Sequence, residues 1–432
     1  MLVNKERVEK EILTLHGYIS YKRTLLTPAD KESTKKLFEL DGRKSVCPVD
    51  DMLGVSGLPF KITCRMMSNI AKEATCARSY AEAAERINKG INKPVSVSTV
   101  QHVTDYVGSL MHEEQIRSAK KAEQRLPGRK IDKRRIRKRK EDVLYIETDG
   151  AMVYVRDKEH TDLENDEIKA DTSGKHQAGW TESKHALCFH SKDIKYYYED
   201  ADGRHSGRFD DILALGRKVK VTGHRIESRD CIGYIGPSDK FQYHMLALAE
   251  RNNWECCAKV VLLSDGARWI KHAKDEVFKG RPVIQILDLF HAKENAGKFA
   301  KWAKRGKNQQ KQYADHLCSL IHNGKVNELL DELKPYEGKT MPPGIPNLYK
   351  YIDNNKDNMD YPRYRKEGLF VGSGAMESAN IYMMQDRMKL PGMRWLVANG
   401  RNMLCLKTHY VSRTWKKVEE VLDKQCGFSG SD

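Results

Sequence analysis

Residues 258–292 read AKVVLLSDGARWIKHAKDEVFKGRPVIQILDLFHA. Ala258 to Leu263 is a short apolar run that reads as a fully buried strand, and Val283 to Leu287 is a second. Trp269 to Phe278 between them has helical texture, and so does His291 to Lys304 after them. Strand and helix alternating in this way predict βαβ units, hence an α/β fold with a mixed sheet flanked by helices. Each apolar run ends on an acid, Asp265 in Ser264-Asp265-Gly266 and Asp288 in Leu287-Asp288-Leu289.

Upstream, residues 143–148 (VLYIET), 151–155 (AMVYV), 186–190 (ALCFH) and 194–198 also read as strands. Asp149-Gly150 separates the first two, a two-residue signal that predicts a hairpin there. Residues 17–23 alternate like a further short strand, and 241–252 read as a helix. Beyond residue 304 the texture is polar and helical to Leu333, broken at Pro342-Pro343-Gly344-Ile345-Pro346, and helical again over 375–389 and 396–410. There are no internal repeats.

At 432 residues, and roughly 100 to 200 per domain, the chain allows two to four units. Hydrophobic residues at 39% and charged residues at 31% exclude disorder throughout, and no run approaches the ~20 apolar residues of a membrane span. The N-terminus has no apolar signal segment, so the expected compartment is the cytoplasm, at the nucleoid. Ten cysteines without a CxxC pair argue against a disulfide framework and a zinc knuckle.

A net charge of +16 favours a polyanionic partner, nucleic acid first. Between Ser118 and Lys140 twelve Lys or Arg stand against two acids, an exposed basic arm suited to phosphates. Arg129, Lys130, Lys133, Arg134, Arg135, Arg137, Lys138 and Arg139 are its candidate contacts. Before it, helix 79–89, a turn with Gly90 and Pro94, and helix 95–111 form a helix-turn-helix pattern. That pattern puts Ser98, Thr99, Gln101 and His102 early on the second helix, in a DNA major groove. Trp269, Trp395 and Trp415 have basic neighbours, Arg268 and Arg394 among them, which suits base stacking beside phosphate contacts.

Asp149, Asp265 and Asp288 all close apolar strands, where an α/β sheet builds its sites. Glu377 follows a Gly/Ser turn that opens a helix. Facing carboxylates can hold two divalent cations roughly 3.5 to 4 Å apart for phosphodiester cleavage, and hard oxygen donors select Mg²⁺ or Mn²⁺. Taken singly, an Asp-Gly is a turn, Asp288 a helix cap with a buried His291, and Glu377 a charge complementing a helix dipole.

The segments YIETDGAMVYV, VLLSDGARWI, ILDLFHA and GSGAMESANIYMMQDRMKLPGMRW followed by NGRNMLCLK resemble bacterial insertion-sequence transposases of the DDE class. The closest likeness is to the mutator-like branch with an extra Asp-x-x-His motif. The resemblance implies a ribonuclease-H-like core with an all-α insertion, preceded by a helix-turn-helix region. It implies Asp149, Asp265 and Glu377 as the metal-binding catalytic triad, with Asp288 and His291 as the accessory motif. Glu147, on the same strand face as Asp149, is the alternative ligand; Asp149 is preferred for its place at the strand-loop junction.

The expected division is 1–60 without assigned chemistry, 61–117 helix-turn-helix, 118–141 basic linker and 142–304 first part of the core. Residues 305–371 are then the insertion, and 372–432 the last core helices and tail. The implied activity is Mg²⁺- or Mn²⁺-dependent cleavage and strand transfer of double-stranded DNA at an element's terminal inverted repeats. A homodimer or larger assembly would act on DNA, with no membrane partner. The rival readings are a DNA-binding regulator or domesticated transposase that does not cut, and a tyrosine recombinase using Tyr410, for which an Arg-rich set upstream is missing.

Overall fold

The chain opens with two strands whose alternating residues pair antiparallel, β1 (Leu2–Thr14) and β2 (Gly17–Pro28), closed by a turn in which Thr14 Oγ1 donates to the Gly17 carbonyl. Helices α1 (Lys31–Asp41), α2 (Pro48–Met52), α3 (Cys64–Cys76), α4 (Tyr80–Asn88) and α5 (Val97–Arg125) follow. The next strands are β3 (Val143–Val155), β4 (Gly179–His190), β5 (Ile194–Asp200), β6 (Gly203–Gly207), β7 (Lys220–Ile226) and β8 (Asp230–Ile235). Helix α6 (Ser238–Arg251) leads to β9 (Lys259–Ser264), α7 (Arg268–His272), β10 (Val283–Leu287) and α8 (Leu289–Ala303). The remainder is helical: α9 (Lys307–His322), α10 (Val326–Leu333), α11 (Leu348–Asn355), α12 (Tyr361–Lys366), α13 (Gly374–Asn380), α14 (Val397–Val411) and α15 (Trp415–Gln425). This computed structural model describes residues 2–41, 45–126, 142–163, 177–208, 212, 214–215, 219–279 and 282–426. No helix among them is long and apolar enough to cross a membrane.

The fold is mixed α/β and divides into two compact units. The first comprises Met1–Gln115, Tyr154–Gly179 and Tyr382–Asp432. Its core joins Met66, Met67 and Ile70 of α3 to Val100, Val103 and Val107, one face of α5. Helix α15 adds Trp415, Val418 and Leu422, again at helical spacing, and Trp415 Nε1 donates to Ser68 Oγ at 2.9 Å. The residues from Tyr382 onward fall in this unit with the N-terminal helices. Their apolar stripe finds its complement on α3. The same packing bonds Cys64 to Cys426, 362 positions apart, a single disulfide where the cysteine spacing had argued against a disulfide framework.

Local chemistry fixes the α4–α5 pair. Ser79 Oγ accepts the Glu82 N–H and the Glu82 carboxylate accepts the Arg78 N–H, which satisfies donors that α4 leaves orphaned. Asn88 clamps the connection by accepting from the Val95 N–H and donating to the Val95 carbonyl. Ser96 Oγ then caps α5 through the Thr99 N–H. Helix α5 runs to Arg125, so Lys120, Lys121 and Arg125, expected in the linker, are helical. The eight arm residues from Arg129 to Arg139 lie outside the described residues.

The second unit comprises Ile116–Val153 and Trp180–Ile381. Its five-stranded sheet has the order β10-β9-β3-β4-β8, with β9 parallel to both β10 and β3, and β4 antiparallel to β8. A second antiparallel sheet, β6-β5-β7, interrupts the chain between β4 and β8. On β3, Leu144 and Ile146 face a core shared with Phe241, Met245 and Trp254, while Tyr145 stacks on Phe189 from the other side. By the period of two, Glu147 and Asp149 share the Tyr145 face. From β10 to α13 the described residues carry helices and no strand.

The hairpin expected at Asp149-Gly150 does not form, because β3 continues unbroken through it to Val155. A two-residue hairpin turn needs positive φ at both residues or the first, and Gly150 is not among the positive-φ glycines. Asp149 Oδ1 instead accepts the Gly150 N–H at 2.8 Å, and the Glu182 carboxylate fills the space a Cβ on Gly150 would occupy.

Arg387 is the largest charge sealed in the first unit, 1% exposed. Its guanidinium donates to the carbonyls of Ala74 and Arg78 past the end of α3 and lies over the rings of Tyr80 and Trp395. Truncation leaves the buried Ala74 carbonyl without a donor, at roughly 1–3 kcal/mol, removes the part-buried bond to Arg78 and strips the packing over Tyr80 and Trp395. Arg387→Met should lower the unfolding free energy in urea by about 2–4 kcal/mol, and Arg387→Lys, which cannot reach both carbonyls, should recover only part. A loss under about 0.5 kcal/mol for Met would contradict this role.

Candidate active site

Register places the acids. Glu147 pairs with Leu263, and Leu287 pairs with Ser264. Stepping forward along these parallel strands puts Asp149, Asp265 and Asp288 in one row: Asp265 and Asp288 just past the carboxyl ends of β9 and β10, and Asp149 level with them inside β3, not at the strand-loop junction expected for it. The carboxyl end of parallel strands is where sites are built.

Asp288 and Glu147 are consumed in holding the loop and helix that carry Glu377. Asp288 is fully buried; its Oδ1 accepts the N–H groups of Phe290 and His291 at 2.7 and 2.8 Å, capping α8, and its Oδ2 accepts the Ser373 N–H. In this structure Asp288, expected among the catalytic residues, holds backbone: both its oxygens accept amides of α8 and of the loop before α13. Glu147 is 1% exposed and accepts the Met376 N–H in the first turn of α13 at 2.8 Å. Burial pushes its carboxyl up to about 8, against the Met376 N–H, and the charges of Asp288 and Glu377 push the same way. Of the two acids, Glu147 is the one sealed away and bonded to a backbone amide, while Asp149 is half-buried.

Asp149 is half-buried. Burial raises its carboxyl above the usual range and the Asp265 charge adds to this, while the Gly150 N–H, His291 and the Asn380 amide oppose it. Asn380 Nδ2 donates to Asp149 Oδ2 at 2.7 Å, so the Asn380 oxygen faces His185, with Oδ1 2.6 Å from His185 Nδ1. This fixes the tautomer: Nδ1 carries the proton, and Nε2, 2.7 Å from Ser183 Oγ, accepts. Sequence reasoning passed over the buried string Ser183, His185 and Asn380, which no local motif marks. Asp265 Oδ1 accepts the Ala267 N–H, and the Asp265 carbonyl accepts the Tyr351 hydroxyl at 2.9 Å. Gly266 has φ of 87°, which favours glycine at the strand-to-loop reversal.

His291 stands half-buried in the first turn of α8, within electrostatic reach of Asp149, and Glu377 is exposed at the start of α13. Asp149 lies within electrostatic reach of Asp265, and Glu377 within reach of Glu147, but the ligand oxygens of Asp149, Asp265 and Glu377 do not all lie within 4.8 Å of one another. Among the described residues only Asp142, His190 and Cys257 meet that spacing.

The candidate nucleic-acid contacts are less uniform than expected. Ser98 and His102 are exposed one turn apart on α5, whereas Thr99 belongs to the cap and Gln101 is half-buried. Gln101, Arg394 and Trp395 line a cavity of about 240 Å³ in the first unit, together with Arg156, Arg387 and Tyr80. Trp395 is 6% exposed and its indole donates to the Met388 carbonyl, so it is a cavity wall and not an open stacking platform. Trp415 is likewise core, and Trp269 packs edge-on against Phe241. Arg268 and Arg394 are exposed.

Glu147 gives a pH signature. Its folded pKa stands above its unfolded value, so its contribution to stability is complete below about 4.5 and is lost as pH rises through about 8. Wild-type protein should lose up to ~1.4 kcal/mol of stability per pH unit across that window from this proton alone. Glu147→Gln, which keeps an acceptor for the Met376 N–H, should flatten that slope in urea titrations. Equal slopes for the two proteins would contradict the assignment.

No protein-family model matches the sequence and no curated protein is similar to it at a significant level, so the functional reading rests on this row of acids and the amides that hold it.

Proposed function

We propose that the protein is a DDE-class transposase that cleaves and transfers DNA strands at an element's ends. The observation that carries the reading is the row of acids across β3, β9 and β10, with the start of the Glu377 helix tied to it through Glu147 and Asp288. The strand order β8-β4-β3-β9-β10, with β9 and β10 parallel to β3 and helices between β8, β9 and β10, is the order expected of a ribonuclease-H-like core. The helices α9 to α12 between β10 and α13 suit an all-α insertion, and α4, its clamped turn and α5 suit a helix-turn-helix.

Asp149, Asp265 and Glu377 are hard oxygen donors, two half-buried and one exposed, which fits Mg²⁺ or Mn²⁺. Bound there, the ions supply an activated water and stabilisation of the leaving oxygen in phosphodiester cleavage, and the freed 3′-hydroxyl attacks target DNA in the same in-line manner. The chain's own contribution is positioning. Asn380, oriented by His185, aims Asp149; the Asx turn and Gly266 aim Asp265; the amide contacts of Glu147 and Asp288 aim Glu377. The basic arm and the exposed Ser98 and His102 on α5 hold DNA, and two ends handled together call for a dimer or larger assembly.

A DNA-binding protein that does not cut is the second reading, favoured by the spread of the triad oxygens beyond 4.8 Å. The two separate on purified protein with Mg²⁺ and DNA carrying the inverted repeats that flank the gene. Strand cleavage should occur, stop with EDTA, and fall at least a hundredfold in Asp265→Asn and Glu377→Gln while end binding stays within about threefold. Binding without cleavage by the wild type would establish the second reading. Neutralising four arm charges should also lower the slope of log affinity against log salt by about 3 to 4; an unchanged slope would remove the arm from the DNA contact.

A further inference from the structure

At the opposite end of the sheet from the acids, three different metal-binding side chains meet. Asp142 immediately precedes β3, His190 ends β4, and Cys257 lies two residues before β9. His190 Nδ1 is 2.8 Å from Asp142 Oδ2 and 3.8 Å from Cys257 Sγ, and all three ligand atoms lie within 4.8 Å of one another. Cys257 is fully buried, and the side chains of His190 and Asp142 are each 10% exposed. The segments are pinned by their backbones: the Ala258 N–H donates to the Asp142 carbonyl at 2.8 Å, and the Val143 N–H donates to Ser191 Oγ at 2.9 Å.

We infer that Asp142, His190 and Cys257 form a structural zinc site that ties the entry of β3 and β9 to the exit of β4. A carboxylate oxygen, an imidazole nitrogen and a thiolate sulfur are the three donor types zinc takes, whereas Mg²⁺ takes oxygens. Zinc bonds of about 2.0–2.3 Å in a tetrahedron space nitrogen and sulfur by about 3.6 Å and nitrogen and oxygen by about 3.4 Å. The sulfur–nitrogen gap is thus already open, and the nitrogen–oxygen gap needs about half an ångström. Binding releases the thiol proton of Cys257, and His190 binds as the neutral imidazole, its proton carried on Nε2 while Nδ1 takes the metal. The three residues share no local spacing, so no zinc motif shows in the sequence.

The test is metal binding by the full-length protein, purified without chelator. About one zinc per chain should be retained, and it should be lost from Cys257→Ser and His190→Ala but kept by Cys256→Ser, whose thiol is outside the cluster. Cobalt(II) added to chelator-stripped wild type should give a thiolate-to-cobalt charge-transfer band in the near ultraviolet with visible bands of tetrahedral intensity, bleached by one equivalent of zinc. This measurement stands even where a variant fails to fold. Wild type that binds no zinc and gives no such band, or zinc kept by folded Cys257→Ser, would overturn the site and leave a hydrogen-bonded Asp–His–Cys cluster.

Discussion

Two buried carboxylates taking the backbone N–H groups of one loop are the interaction on which the candidate site depends. Ser373 and Met376 lie at the start of α13, where a helix leaves its first N–H groups without internal partners. Asp288 and Glu147 supply acceptors from the end of β10 and from within β3. A short helix of seven residues has little stability alone, so its position is dictated by the sheet. Glu377, in that first turn, is consequently held within electrostatic reach of Glu147. The cost is the burial of two acids, moderated for Glu147 by its remaining protonated near neutral pH.

The surroundings of the row follow from the same economy of buried polar groups. Asp149 is half-buried against a neighbouring Asp265 and is supported by the Gly150 amide and by Asn380, which in turn leans on His185 and Ser183. Each polar atom in this string has a partner, as a buried network requires. In the first unit, Arg387 plays a comparable part: it closes the end of α3 and, with Arg156 and Arg394, forms the charged wall of the cavity that Gln101 also lines. That cavity unites residues from three stretches of chain that the unit's fold brings together.

What could be read from the sequence was what local pattern encodes. The apolar runs before Asp265 and Asp288 are the strands β9 and β10, and residues 17–23 fall in β2, because burial and alternation need no distant partner. What was misread depended on partners far along the chain. Asp288 meets its amide 85 positions away and Glu147 meets Met376 at 229, so neither reveals in sequence that its oxygens are already taken. Asp149-Gly150 has turn chemistry, yet β3 keeps it extended against β4 and Glu182. The C-terminal helices join the first unit because α15 matches α3, and the zinc ligands have no spacing to detect.

The most direct measurement is amide hydrogen exchange resolved at Ser373 and Met376. The Ser373 N–H takes the Asp288 carboxylate as its acceptor, whereas the Met376 N–H is shared between the Glu147 carboxylate and the Ser373 carbonyl, so Ser373 is the decisive probe and Met376 the supporting one. The account predicts exchange as slow as for the interior amides of β3. Exchange at the rate of an unprotected first helical turn would contradict it, and with it the placement of Glu377 within reach of Glu147.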